Sequence, residues 1–242
     1  MQFRVNLLLP AMVLSLAGCA TPPLPQTHQT MSSTEIRSDN GSQMTLNVIY
    51  ELKTSISQPT DSNLRMINRS DTAAVTGLKT LHVLVGMFAG GVQETSFSKE
   101  QLKGTPVMSE VNPSLTYMAP KLTDNVKNQM QSSVPTVYKK PVEIYVNNWY
   151  LVYENLSGGD NYELHYKTTI SKGGESAKMV GFDVVCEPEA VKAPLADWQA
   201  NNYQKLHDVT KVYMDTCLND FDKKFKSFVN GTSNTDKTIT LQ

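Results

Sequence analysis

Residues 142–186 read VEIYVNNWYLVYENLSGGDNYELHYKTTISKGGESAKMVGFDVVC, and this stretch decides the fold. Val142, Ile144 and Val146 alternate with more polar neighbours, the period-2 pattern of a strand with one buried face. Trp149, Leu151 and Tyr153 continue the alternation in the opposite phase, with Asn147-Asn148 between the two sets. An extra residue there restores the phase, so a β-bulge is expected. The aromatics Trp149, Tyr150, Tyr153, Tyr162 and Tyr166 read mostly as core and cross-strand packing, but Tyr150, out of phase with Trp149 and Leu151, is free to face a partner. A turn over 156–161 containing Gly158-Gly159 leads into Tyr162, Leu164, Tyr166, Thr168 and Ile170, which alternate strictly. After Gly173-Gly174 a third strand is expected over 178–186, with Val180, Phe182, Val184 and Cys186 on one face. Together they make a three-stranded antiparallel meander.

Downstream, Pro188 and Pro194 break the chain, and Asp197 is a fair N-cap for a long helix running to about Val229. Its apolar stripe is Leu206, Val209, Tyr213, Cys217, Phe221, Phe225 and Phe228. Cys186 points from the last strand into the layer that Cys217 enters from the helix. The spacing therefore predicts a Cys186–Cys217 disulfide. Closing a loop of roughly 30 residues stabilises by about 3 to 4 kcal/mol on chain-entropy grounds.

Upstream, Met44, Leu46, Val48, Tyr50 and Leu52 alternate as a half-buried strand, and the polar run 59–70 is expected to be turn. The stretch AAVTGLKTLHVLVGMFAGGV, residues 73–92, supports two readings. As a helix it places Ala74, Leu78, Leu81, Val85 and Phe88 on one stripe, capped by Ser70 or Asp71 and ended at Gly90-Gly91. As a strand, residues 81–88 are a short buried run; the persistence of the stripe favours the helix. Residues 95–119, with Pro106 and Pro113, read as a long excursion. Pro120 then opens a short amphipathic helix through Leu122, Val126 and Met130 to about Ser132. The sum is an α+β domain over 44–230: a mainly antiparallel sheet with helices packed on one face, closed by a long C-terminal helix.

The amino terminus is a separate signal. Met1–Arg4 is weakly basic, an apolar run follows, and LSLAGCA ends at Cys19. The form Leu16-Ala17-Gly18-Cys19 resembles the lipobox of bacterial lipoproteins. The resemblance implies removal of residues 1–18, acylation of Cys19, and, with Ala20 rather than aspartate next, an outer-membrane anchor on the periplasmic side. Residues 19–43, rich in Pro, Thr, Ser and Gln, are expected to form a flexible tether, and 231–242 a disordered tail.

The formal charge of −1 leaves no basic surface for nucleic acid. The four histidines, His28, His82, His165 and His207, show no metal-ligand spacing, and no catalytic or dinucleotide fingerprint is present. Glu154, Asn155, Asp160, Asn161 and Glu163 crowd the hairpin turn without calcium-loop spacing. The expectation is a non-enzymatic binding or accessory module with neither metal nor cofactor. Its partners would be the membrane, through the lipid, and another envelope protein. The alternatives are an envelope hydrolase lacking a recognisable motif and a carrier of lipid or another small ligand.

Overall fold

A computed structural model describes residues 28–51, 62–72, 102 and 104–231. Two long antiparallel strands, β5 (Val142–Tyr153) and β6 (Asn161–Lys172), form the spine of an eight-stranded sheet. Along the outer edge of β5 lie two shorter strands, both parallel to it. These are β2 (Gln43–Glu51) beside Val142–Val146 and β3 (Asn63–Ile67) beside Tyr150–Val152. The outer edge of β6 is shared in the same way by β7 (Phe182–Cys186) and β8 (Val191–Pro194), both antiparallel. Antiparallel β1 (His28–Arg37) and β4 (Thr105–Val111) flank β2 and β3.

The β5/β6 register shifts between Val146 and Asn148, where the asparagine pair marks the change of phase. Because of that shift Val142, Ile144 and Val146 share a buried face with Trp149, Leu151 and Tyr153. The helices cover this face. Trp149 donates its Nε1–H to Thr210 Oγ1 at 3.1 Å, and the Tyr166 ring lies 6.1 Å from Tyr213, both partners being on the last helix. The fold is α+β, its sheet mainly antiparallel, as the strand pattern predicts.

Four strands depart from the sequence reading. The segment 19–43 contains β1, so the expected tether does not extend past His28. Ile36 alone among its side chains is buried, and an edge strand held by backbone hydrogen bonds with so little apolar patterning leaves no period to detect. In the run 59–70, β3 has the sequence NLRMI, where Arg65 interrupts the apolar set. The excursion 95–119 holds β4; Pro106 is tolerated because β4 is paired to β3 and to no other described strand. Gly104, just before it, has φ +61°, and a Cβ there would lie 2.7 Å from the Met66 carbonyl oxygen. Only glycine lets the chain pass so close to β3. Four-residue β8 fills the interval between Pro188 and Pro194. The third meander strand starts at Phe182 rather than 178, and Val180 is 59% exposed.

Helix α1 (Ala119–Gln131) has its proline in the first turn and buries Leu122, Val126 and Met130; a π-helical turn, Ser114–Met118, precedes it. Helix α2 (Leu195–Val229) is capped by Pro194, with Asp197 in the first turn, so Asp197 is not the cap. It is broken at Ala200–Tyr203, where Asn201, Asn202 and Tyr203 have φ of 50°, 53° and 60°. Beyond the break its stripe buries Leu206, Tyr213, Cys217, Phe221, Phe225 and Phe228, with Val209 partly buried. Phe182 of β7 packs on Phe221 and Phe228, with ring centroids at 5.4 and 5.9 Å. A fully buried phenylalanine contributes roughly 2 to 3 kcal/mol, so this cluster is a principal fastening of helix to sheet.

Residues 69–72 are helical, and Asp71 Oδ2 accepts the Asn68 N–H at 2.7 Å, which puts Ser70 and Asp71 inside the turn rather than at its cap. The expectations for 73–92, including His82 and Gly90-Gly91, lie outside the described residues. So do those for the lipobox with Cys19, and for 232–242 of the tail.

Candidate functional site

Cys186 and Cys217 are bonded, with Cα atoms 5.6 Å apart and both side chains buried between sheet and α2. That separation falls in the ordinary range for a disulfide. The bond pins an edge strand to the middle of the long helix.

Tyr150 is not available to a partner: it is 4% exposed. It stacks on His165 at 5.1 Å, with the Arg65 guanidinium 4.9 Å from its ring centroid. Arg65 in turn donates to the Leu102 carbonyl at 3.0 Å. His165 meets Glu163 at 3.2 Å, His207 meets Glu110 at 2.7 Å, and His28 lies edge-on against Tyr145.

The oxygens of the hairpin turn are drawn together by cations of the chain itself. Lys192 lies 3.2 Å from both Glu154 and Glu163, and Arg69 donates to the carbonyls of Asn155, Gly158 and Gly159. Side-chain hydrogen bonds from Asn161 and Lys192 hold the Glu154 carboxyl below its usual range. On the outer side of the helices, Lys121 donates to both Tyr117 and Asp215, and Tyr117 donates to Asp215 at 2.8 Å. These contacts join α1 to α2. The most deeply placed charge is Lys172, whose side chain is 0% exposed.

Chemistry of a different kind is offered along β1. Among the described residues β1 has β2 as its one strand neighbour, so the peptide groups of its outer edge face no ladder. A register shift between Thr30 and Ser32 bulges the strand at Met31, which is 45% exposed. Beside it runs an open groove of about 330 Å³, between Ser32 and Thr34 of the strand, Leu115 of the π-helical turn, and Pro120, Thr123 and Asp124 at the start of α1. An exposed edge next to a partly apolar groove suits an extended peptide, which would add a strand and lay alternate side chains into the groove.

No single feature of HQTMSSTEIR announces this site. The usable signal is the run of Thr, Ser and Ile without lysine or proline, a composition that leaves an edge unprotected. Comparison of the chain with protein-family models, with curated proteins and with solved structures finds no match.

Proposed function

We propose that the protein is a lipoprotein acylated on Cys19 and held on the periplasmic side of the outer membrane. There it serves as a non-enzymatic module that binds another envelope protein through the β1 edge. The amino-terminal half of the proposal rests on the Leu16-Ala17-Gly18-Cys19 pattern. The binding half is carried by one observation, the ten-residue β1 with its unladdered edge beside the groove. The ion pairs of Lys121 with Asp215, Lys192 with Glu163 and His207 with Glu110 support a structural role for those charges, since each joins two elements of the fold.

Photo-crosslinking in intact cells tests the binding reading. A crosslinker at Met31 or Ser33 should trap one defined envelope protein, and one at Val212 on the outer side of α2 should not. Equal yields of many products at all three positions would sink it. So would reproducible turnover of peptidoglycan, peptide or ester that a single side-chain change removes. For the anchor, Cys19→Ser should abolish fatty-acid labelling and release the protein from membranes; a labelled, membrane-bound mutant overturns that half.

A further inference from the structure

We propose that one end of the domain is a docking surface for a phospholipid bilayer with anionic headgroups. It is formed by the segment 134–140, the loop 173–181 between β6 and β7, and the last turn of α2. The inference goes beyond the anchor on Cys19, because it assigns a membrane contact to the folded domain itself.

A single carboxylate fastens the two segments into one platform. Glu175 Oε2 accepts the Lys139 N–H at 2.9 Å and Oε1 the Lys140 N–H at 2.9 Å, while Lys172 Nζ donates to the same Oε1 at 2.7 Å. Within the loop, the Glu175 N–H donates to the Met179 carbonyl at 2.9 Å, and Ser176 Oγ accepts from the N–H groups of Lys178 and Met179. Phe228 lies against Tyr138 and Phe182, with ring centroids at 6.1 and 5.9 Å, which sets the last turn of α2 behind both segments. The platform is held in shape by these bonds, and its outer side chains are left to the solvent.

Those side chains are of two kinds. Val134, Val137 and Val180 are 79%, 65% and 59% exposed. Lys139, Lys140, Lys178 and Lys226 are exposed as well and join no ion pair among the described residues. Lys172 and Glu175 neutralise each other, as do Lys223 with Asp220 and Arg37 with Glu35. Against the four lysines stand Asp39, Glu143 and Asp183. Of these, Glu143 and Asp183 alternate with the helix-facing Val142, Ile144 and Val184, so they turn to the open side of the sheet, and Glu143 accepts the Tyr145 hydroxyl at 2.7 Å. Aliphatic side chains among lysines suit a headgroup layer: the valines enter its apolar boundary, and ammonium groups on flexible stems meet phosphates in no fixed geometry. Each lysine near an anionic bilayer is worth roughly a fivefold gain in partition.

The test uses the full-length acylated protein on vesicles carrying an acceptor dye on the headgroups, with a donor dye at Ala177→Cys in the loop or at Leu156→Cys in the turn at the far end of β5. On phosphatidylethanolamine/phosphatidylglycerol vesicles, transfer from 177 should be at least about twofold more efficient than from 156. Exchanging phosphatidylglycerol for phosphatidylcholine, raising NaCl to about 0.5 M, or reversing charge with Lys139→Glu and Lys178→Glu should each erase that difference. Equal transfer from the two positions, stronger transfer from 156, or a difference that survives salt or charge reversal would overturn the proposal. So would a photo-crosslinker at 177 that traps a protein and no phospholipid in intact cells. Failure of the acylation reading looks different: the chain would not float with the phosphatidylcholine vesicles, while the transfer difference on phosphatidylglycerol would remain.

Discussion

Lys172 Nζ lies 2.7 Å from Glu175 Oε1 and also donates to the carbonyls of Lys140 and Gly173, so all three of its protons are engaged inside the protein. The ammonium sits 4.8 Å from the Phe228 ring centroid and 5.6 Å from that of Tyr138, beneath the end of α2. Burial pushes the Lys172 ammonium down from its ordinary value by more than Glu175 raises it. Burial likewise pushes the Glu175 carboxyl up, but Lys172 and the backbone N–H groups of Lys140 and Lys139 outweigh it and leave that carboxyl below its usual range. The pair ties the 138–140 segment to the loop after β6.

Lys172→Met keeps the apolar volume and removes the ammonium, and should lower stability at neutral pH by about 2 kcal/mol. The pH dependence has a definite sign. A depressed carboxyl pKa contributes stability that is present above the ordinary carboxylate range and is lost as pH falls through the folded value. The gap between wild type and Lys172→Met in urea melts should therefore narrow as pH drops from 7 into the acid range. A gap that widens in acid would show that Glu175 is not the group that matters.

The disulfide carries the second prediction. Cys186 and Cys217 are 31 residues apart in sequence, and the Phe182, Phe221 and Phe225 cluster packs beside them. Cys217→Ser should cost about 3 to 4 kcal/mol if the constraint on the unfolded chain dominates. Reduction of the wild type should reproduce most of that loss. A midpoint of unfolding that dithiothreitol leaves unchanged would contradict it.

How much of this was legible beforehand varies with what each element shows to the core. β6 and α1 bury one clean face, and β5 does so as far as Val146 before burying both faces from Trp149 on; their alternation or 3.6-residue period predicts them nearly to the residue. β1 exposes both faces, β3 places the buried Arg65 among apolar residues, and β4 carries a proline; each is held by ladder hydrogen bonds that leave no mark in side-chain pattern. Tyr150 departs from its sequence expectation for a related reason. Phase alone tells which side of a sheet a residue takes, and the open side here is itself covered at Tyr150 by Arg65 and His165. The β1 edge, where the candidate site lies, is illegible because its defining property is the lack of a second strand neighbour among the described residues.

Between α1 and α2 lie two buried oxygens without a donor among the described residues. Asp222 Oδ2 accepts from Asn125 Nδ2 at 2.7 Å, but buried Asp222 Oδ1 and buried Gln129 Oε1 have no hydrogen-bond partner among the described residues. Burial pushes the Asp222 carboxyl up, and the bond from Asn125 offsets part of the rise. A raised carboxyl pKa gives stability that is fully present below the ordinary range and is lost as pH rises through the folded value. Asp222→Asn should keep that stability at neutral pH, a gain of about 1 kcal/mol, and should flatten the profile between pH 4 and 7. A variant less stable than wild type at pH 7 would refute the reading.

The break in α2 makes the last prediction, and its value is that two descriptions of the same residues predict opposite signs. Asn202 is exposed, with φ 53° and ψ 53°, and its neighbours Asn201 and Tyr203 are left-handed as well. Left-handed backbone costs a residue bearing a Cβ roughly 1 to 2 kcal/mol, less for asparagine than for most, and costs glycine little. Asn202→Gly should therefore stabilise by about 0.5 to 1 kcal/mol, and Asn202→Ala should destabilise by about 1 kcal/mol. Were the helix continuous through this point, the order would invert, because alanine is the best helix former and glycine among the worst. The reason for a break at this place is visible on either side of it. Before it, Trp198 is fully buried and donates to the Tyr162 carbonyl at 3.0 Å; after it, Leu206 begins the stripe that packs on the sheet. A straight helix with 3.6 residues per turn would have to satisfy both anchors at one fixed rotation, and the left-handed residues reset that rotation. Thermal melts of the two variants decide the matter: glycine above alanine supports the break, and alanine above glycine removes it.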